Sequence, residues 1–329
     1  MGRHAASPTV RPRTVVIGMV AVVVTVAAAV GLSLLLRERH PGAVDLRGPH
    51  GDSPVSYAGI FPAEGDKPLA NPLGIAYDGE YLYVAESDAG AIQVFDANGG
   101  RVGTIDVPVA KGQRSAYPSS IAVAGERLAV VDNAANRVVL LSRDVADGGA
   151  SVEVLGDGDD EPVQPTAVAY AQGEFFVADA SDDTIRVYGG DARFLRAFGP
   201  DEVTPAGFIT ALAVSGDLLY AADSGAGLLL ACNVKNGDPE GPLGGEYSLP
   251  RAIVPITEDA LVVIDGLGRS AHIVDRAGIE FVSIDADTLP EGLMSAPHGA
   301  TWIAGDGRLY VTDAGTGRVN VYNIQVERL

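Results

Sequence analysis

Apolar positions along this chain follow two patterns. From Thr14 to Leu36 the sequence TVVIGMVAVVVTVAAAVGLSLLL runs 23 residues without a charge. Beyond residue 54 the apolar residues come in short runs such as YLYVAE, RVVLLS and TIRVYG, separated by Gly, Pro, Asn and Asp. Short β-branched and aromatic runs bounded by turn formers predict strands, and no segment in this region carries a convincing helical repeat.

The strand pattern is itself repeated. Aligning six acids gives YVAES (Glu86), VVDNA (Asp132), VADAS (Asp179), AADSG (Asp223), VIDGL (Asp265) and VTDAG (Asp313), at steps of 46, 47, 44, 42 and 48 residues. A proline and an apolar strand precede the acid in five units, starting at Pro72, Pro118, Pro165, Pro250 and Pro297, while the fourth unit has Phe208 there. A tight turn (DGE, AGE, QGE, SGD, TED, GDG) leads into the strand that ends at the acid. A small-residue turn and a third strand follow, and a fourth strand closes most units, as in RVGTIDV, SVEVLG, FLRAFG and EFVSID. A period in the mid-forties with turns every 8 to 12 residues predicts an all-β, six-bladed β-propeller of four-stranded antiparallel blades. The sixth unit ends one strand short, and VSYAGIF (Val55–Phe61) precedes the first unit unassigned. Residues 54–62 are therefore expected to supply the outer strand of the last blade.

The charge-free run adds a membrane segment to this picture. As a helix it is roughly 34 Å long, enough to cross a hydrocarbon core of about 30 Å. A cleaved signal peptide competes, but the run exceeds the usual apolar region of such signals and continues past Ala27–Ala29 to Leu36. The expected organisation is a cytoplasmic tail (1–13), a single transmembrane helix (14–36), a linker (37–53) and a propeller (54–329) outside the cell membrane. Basic residues flank both ends of the run, so charge alone does not orient it. A short tail before a large folded domain favours the tail inside.

Charge and cysteine count exclude several functions. With 23 Lys and Arg against 43 Asp and Glu, the chain carries a net charge of −20. Such a surface repels nucleic acid and anionic lipid and favours basic partners. The single cysteine, Cys232, excludes an intramolecular disulfide and a cysteine-based zinc cluster, and its setting in LLLACNV reads as buried. No G-x-S-x-G elbow, Walker loop or dinucleotide fingerprint is present.

The order of proline, apolar strand, turn, L-Y-V-A-D, small turn and N-x-R-[IV]-x-V-[FY] resembles the NHL repeat. It is clearest at Asn71–Asp96, Pro118–Leu141 and Pro165–Tyr188, and RLYVTDAGTGRVNVYN fits nearly as well. Units four and five depart from it. The resemblance spans residues 54–329 and implies a propeller, with functions that range over protein or RNA binding, extracellular sensing and a few lyases and lactonases. The amidating lyases of this architecture hold zinc with several histidines, whereas only His272 and His298 follow residue 50 here. The metal pattern of the gluconolactonase-like propellers finds only a weak counterpart in Glu64, Asn71 and Asn133.

The candidate residues fall into two sets. Glu86, Asp132, Asp179, Asp223, Asp265 and Asp313 could form an acidic ring for a divalent cation such as calcium, but carboxylates spread around a wide ring cannot share one ion. They are read as turn-holders that accept backbone N–H bonds from their own small-residue turns, and no resident cofactor is expected. The run GDGDDEP (156–162) lacks the acid of a calcium loop at its twelfth position, where Val168 stands. Contact with a protein or peptide partner is assigned to Asn71, Tyr117, Gln164 and His298 at the mouths of the first strands. The expected function is a membrane-tethered, non-enzymatic binding scaffold, with a metal-dependent lyase or lactonase in the central channel as the alternative. No catalytic residue is assigned, and oligomeric state is left open.

Overall fold

The second strand of every repeat is buried along nearly its whole length, on both faces at once. Such a strand needs a packed neighbour on each side, and stacked blades supply two. The computed structural model describes residues 53–147, 153–156, 158–199, 207–289 and 294–329. The segment expected to span a membrane, with its flanks, lies outside them. Among the described residues no helix is long and apolar enough to cross a membrane.

Pro54–Leu329 forms one unit of six four-stranded antiparallel sheets. Blade one consists of Pro72–Tyr77, Tyr81–Glu86, Ala91–Asp96 and Arg101–Asp106, in that order from the axis outward, and blades two to five repeat the arrangement. Their first strands begin at Pro118, Pro165, Ile209 and Pro250, and that of blade six at Pro297. Blade six takes only three strands from the C-terminal end of the chain. Its outer strand is Val55–Phe61, which pairs antiparallel with Arg318–Ile324, from Val55 opposite Ile324 to Phe61 opposite Val319.

The core is divided among the seams between blades. Six clusters of buried side chains occupy the six blade interfaces, for example Ile92, Val94, Leu128 and Val130 between blades one and two. First strands of neighbouring blades pack side by side around the central axis. Their third positions are small residues: Gly74, Ser120, Ala167, Ala211, Ala252 and Gly299. A Cβ on Gly299 would lie 2.3 Å from the Leu73 carbonyl oxygen, and one on Gly74 2.8 Å from that of Ser119. The inner ring closes because these two positions carry no side chain.

Hydroxyl groups cross the seams. Ser87 Oγ donates to the Pro118 carbonyl (2.6 Å), Thr166 Oγ1 to Ile209 (2.6 Å), Thr210 Oγ1 to Pro250 (2.7 Å) and Thr312 Oγ1 to Leu73 (2.5 Å). Each bond satisfies a carbonyl on the free edge of a first strand, an edge that no further strand covers.

Candidate functional site

The first strand of each blade runs away from one rim, and the second returns to it. The turns between strands two and three therefore share this rim, called upper here, with the connections that lead into the next first strand. All six repeated acids stand at the ends of second strands on that rim, and none is more than 5 % exposed.

What they do there is wider than holding a local turn. Asp313 Oδ2 accepts from Ser295 N (2.7 Å) and Oδ1 from Ala296 N (2.9 Å), in the connection that leads into the first strand of its blade. Oδ1 also accepts from Gly315 N (3.0 Å) and Thr316 N (3.2 Å) in the following turn. Asp179, Asp223 and Asp265 make the same double clasp on Val163 and Gln164, Gly207 and Phe208, and Ser248 and Leu249. Glu86 and Asp132 each bind one such N–H, from Ala70 and Tyr117. Third-strand side chains add to several clasps, with Arg137 Nε 3.1 Å from Asp132 and Arg186 Nε 2.9 Å from Asp179. Each carboxylate thus ties together three segments of its own blade. Among the described residues, no three His, Cys, Asp or Glu side chains come together in a way that could hold a metal ion.

The four contact candidates divide. Asn71, Tyr117 and Gln164 are equivalent, each the last residue before a first strand, and each carbonyl accepts from the residue after the acid of its blade. Asn71 Nδ2 also donates to Tyr117 Oη (2.9 Å), so two adjacent blades are joined at the rim surface. Gln164 is exposed on blade three and does not meet them. His298 lies two residues further along, at the second position of its first strand. The equivalents of His298 are Leu73, Ser119, Thr166, Thr210 and Arg251. His272 sits in the third strand of blade five, where Nδ1 is 2.6 Å from Glu280 and Nε2 is 2.8 Å from Ser270 Oγ.

Burial pushes the His298 imidazole down to about 3, and the neighbouring Arg251 charge pushes the same way. His298 is therefore neutral at physiological pH. Burial also lowers the pKa of the Arg251 guanidinium, which remains a cation. Sequence reasoning reached His298 and missed Arg251, although the signal was available: Arg251 follows the unit-five proline as His298 follows the unit-six proline. Cys232 is buried, and burial raises its thiol to about 11, which makes it a packing residue rather than a nucleophile.

The surface of the upper rim is less polar than the chain's net charge suggests. Val109, Val163 and Phe208 in the connections between blades, and Leu267 in the blade-five turn, are 53, 59, 39 and 70 % exposed. Exposed carboxylates stand in loops of the same rim, Glu161 in the connection that holds Val163, and Asp182 and Glu246 in other loops.

No family model and no curated protein matches the chain. Solved structures share the fold. A streptogramin B lyase structure superposes with a TM-score of 0.59 at 14 % identity, covering 82 % of this chain and 98 % of that one. A chain of a nidogen/laminin complex gives 0.57 at 19 % identity, over 71 and 85 %. A protein of unknown function from Bacteroides thetaiotaomicron gives 0.59 at 13 %, over 82 and 75 %. At these identities the likeness shows a β-propeller and nothing finer.

Proposed function

We propose that this chain is a non-enzymatic binding propeller of the NHL-like kind, tethered to the cell membrane by residues 14–36 with the propeller outside, and that its upper rim docks a protein or peptide. The observation that carries this reading is the exposure of Val109, Val163, Phe208 and Leu267 on one rim. Apolar side chains presented on several loops of one rim favour a partner surface there, and the carboxylates of the same rim favour a basic one. Asn71, Tyr117 and Gln164 lie on the same rim as polar contacts. A nidogen/laminin complex among the structural neighbours is compatible with a protein partner.

The test is crosslinking of the full-length chain in its native membrane. The wild type should capture a reproducible partner, and the Phe208→Ser/Leu267→Ser double variant should lose most of it at unchanged melting temperature. A partner retained by the variant moves the docking surface elsewhere, and repeated failure of the wild type to capture one removes the reading.

A metal-dependent lyase or lactonase in the channel is the second reading, favoured by His298, whose neutral imidazole is the form that ligates metals and accepts protons. Elemental analysis of the purified chain separates the two. A stoichiometric metal that chelation removes and that His298→Ala lacks would replace the binding scaffold with the enzyme; a metal-free chain retires the enzyme.

A further inference from the structure

Each blade places one side chain at the second position of its first strand, and together these form a ring near the upper mouth of the channel: Leu73, Ser119, Thr166, Thr210, Arg251 and His298. Thr166 and Thr210 spend their hydroxyls on the next blade's carbonyls, and Leu73 is apolar. The other three polar members are unspent. Ser119 Oγ is buried with no hydrogen-bond partner. Arg251 and His298 have neither a hydrogen bond nor an ion pair among the described residues.

The isolation of Arg251 is unusual within this molecule. Four other arginines packed against the blades, Arg137, Arg143, Arg186 and Arg196, have side chains 16 to 30 % exposed, and each has a carboxylate as its ion-pair partner. Arg318 and Arg308, also half-buried and without an acid, meet backbone carbonyls and the Tyr310 hydroxyl instead. Arg251 sits in a comparable half-buried place with neither kind of partner among the described residues. A desolvated cation without a counter-anion costs stability, and since no described residue supplies one, a bound anion would relieve that cost.

Local packing fixes where that anion belongs. A Cβ on Gly266 would stand 2.9 Å from Arg251 Cγ and 3.2 Å from the Pro297 carbonyl oxygen, so the arginine stem runs between the blade-five turn and the start of blade six. That path brings the arginine beside the strand that bears His298, on the adjacent blade, and the Arg251 charge acts on the His298 ring. The guanidinium fork fits two oxygens of a carboxylate or phosphate, and a neutral imidazole offers one more N–H.

We propose that the channel mouth between blades five and six binds a single anionic group, a carboxylate or a phosphate ester, through the Arg251 guanidinium and a His298 ring N–H. The net charge of −20 keeps anions at a distance in general. The pair therefore selects a small anionic group on an otherwise neutral or cationic ligand, not a polyanion. The inference stands apart from docking on the rim, since the channel takes up a small anion whether or not a protein covers it.

Isothermal titration calorimetry on the purified full chain tests it, with sodium acetate, inorganic phosphate and phenyl phosphate as probes and sodium chloride at matched ionic strength as the control. The wild type should take up at least one probe saturably. Arg251→Lys should bind roughly tenfold more weakly, because a point charge replaces the fork, and Arg251→Met should not bind at all. Preference for acetate identifies a carboxylate ligand, and preference for the phosphates a phosphate ester. In anion-free buffer Arg251→Met should melt higher than the wild type, having lost an unpaired half-buried charge, while added probe should raise the melting temperature of the wild type alone. No saturable uptake by the wild type, equal uptake by Arg251→Met, or a lower melting temperature for that variant overturns the proposal. Arg251→Gln and His298→Asn repeat the uptake test and should also bind more weakly than the wild type, and the wild-type titration decides without any variant.

Discussion

Asp179 shows what a repeated acid is for. Its carboxylate is 1 % exposed and accepts N–H bonds from Val163 (2.8 Å), Gln164 (2.9 Å) and Ser181 (3.0 Å), with Arg186 alongside. Burial alone would raise its pKa, but the hydrogen bonds from Ser181, Val163 and Gln164 together outweigh it and hold the carboxyl below the usual range. A group whose folded pKa is depressed stabilises the fold above its unfolded pKa, about 3.9, and loses that contribution as pH falls through the folded value. Asp179→Asn should cost about 3 kcal/mol at pH 7, because the amide NH2 must face either a backbone N–H or the Arg186 guanidinium. Its stability should also fall less steeply than that of the wild type below about pH 4. Urea denaturation at pH 7 and from pH 5 to 3 measures both, and a variant as stable as the wild type at pH 7 would show that the clasp is dispensable. The sequence reveals the acid through its repetition, and a turn through the small residues after it. The second half of the clasp, on a segment some 15 to 18 residues upstream, depends on the pairing of strands one and two, which no local pattern displays.

At the scale of the element, strands that pack between blades are legible and strands on the outer edge are not. The inner three strands of each blade read clearly because burial on two faces demands continuous apolar runs. The outer strand of blade four, Pro239–Leu243, reads PEGPL and carries no such signal. It forms because an edge strand needs donors on one side only, which tolerates proline, and Pro242 pairs with Leu230 on its inner neighbour. Inner strands also carry a constraint that hydropathy cannot express: the small third position, visible only once neighbouring first strands lie in contact. The channel ring is half legible: His298 is read from the sequence, whereas Arg251, at the same place after its proline, is not. Arg251 and His298 are 47 residues apart in the chain, and it is the blade repeat that sets them on adjacent strands at one level.

At the scale of the whole molecule, stability rests on closing a ring. Six blades that touch only their neighbours behave like a repeat array, and an open array would leave two buried-type faces in water. Val55–Phe61 prevents that by completing blade six with the other end of the chain. Phe61 anchors it: the ring is 5 % exposed, lies 5.0 Å from the Phe95 ring of blade one and 6.2 Å from that of Tyr310 in blade six, and so packs across the last seam. Arg318 reinforces the junction by donating to the Pro62 and Ala63 carbonyls, at 2.5 and 2.7 Å. Phe61→Ala should cost about 3 to 4 kcal/mol, as expected for emptying a buried aromatic site. Excision of residues 54–62 should do more than lower the melting temperature. With the outer strand gone, blade six loses the pairing that holds the ends of the chain together. The single cooperative transition of a closed ring should then broaden into stepwise loss of terminal blades, as in an open array. Calorimetric and van't Hoff enthalpies compared for the two chains measure that change. An excised chain that melts at the wild-type temperature with matching enthalpies would mean that the blades hold the ring without the strand, and that Val55–Phe61 decorates a structure already closed.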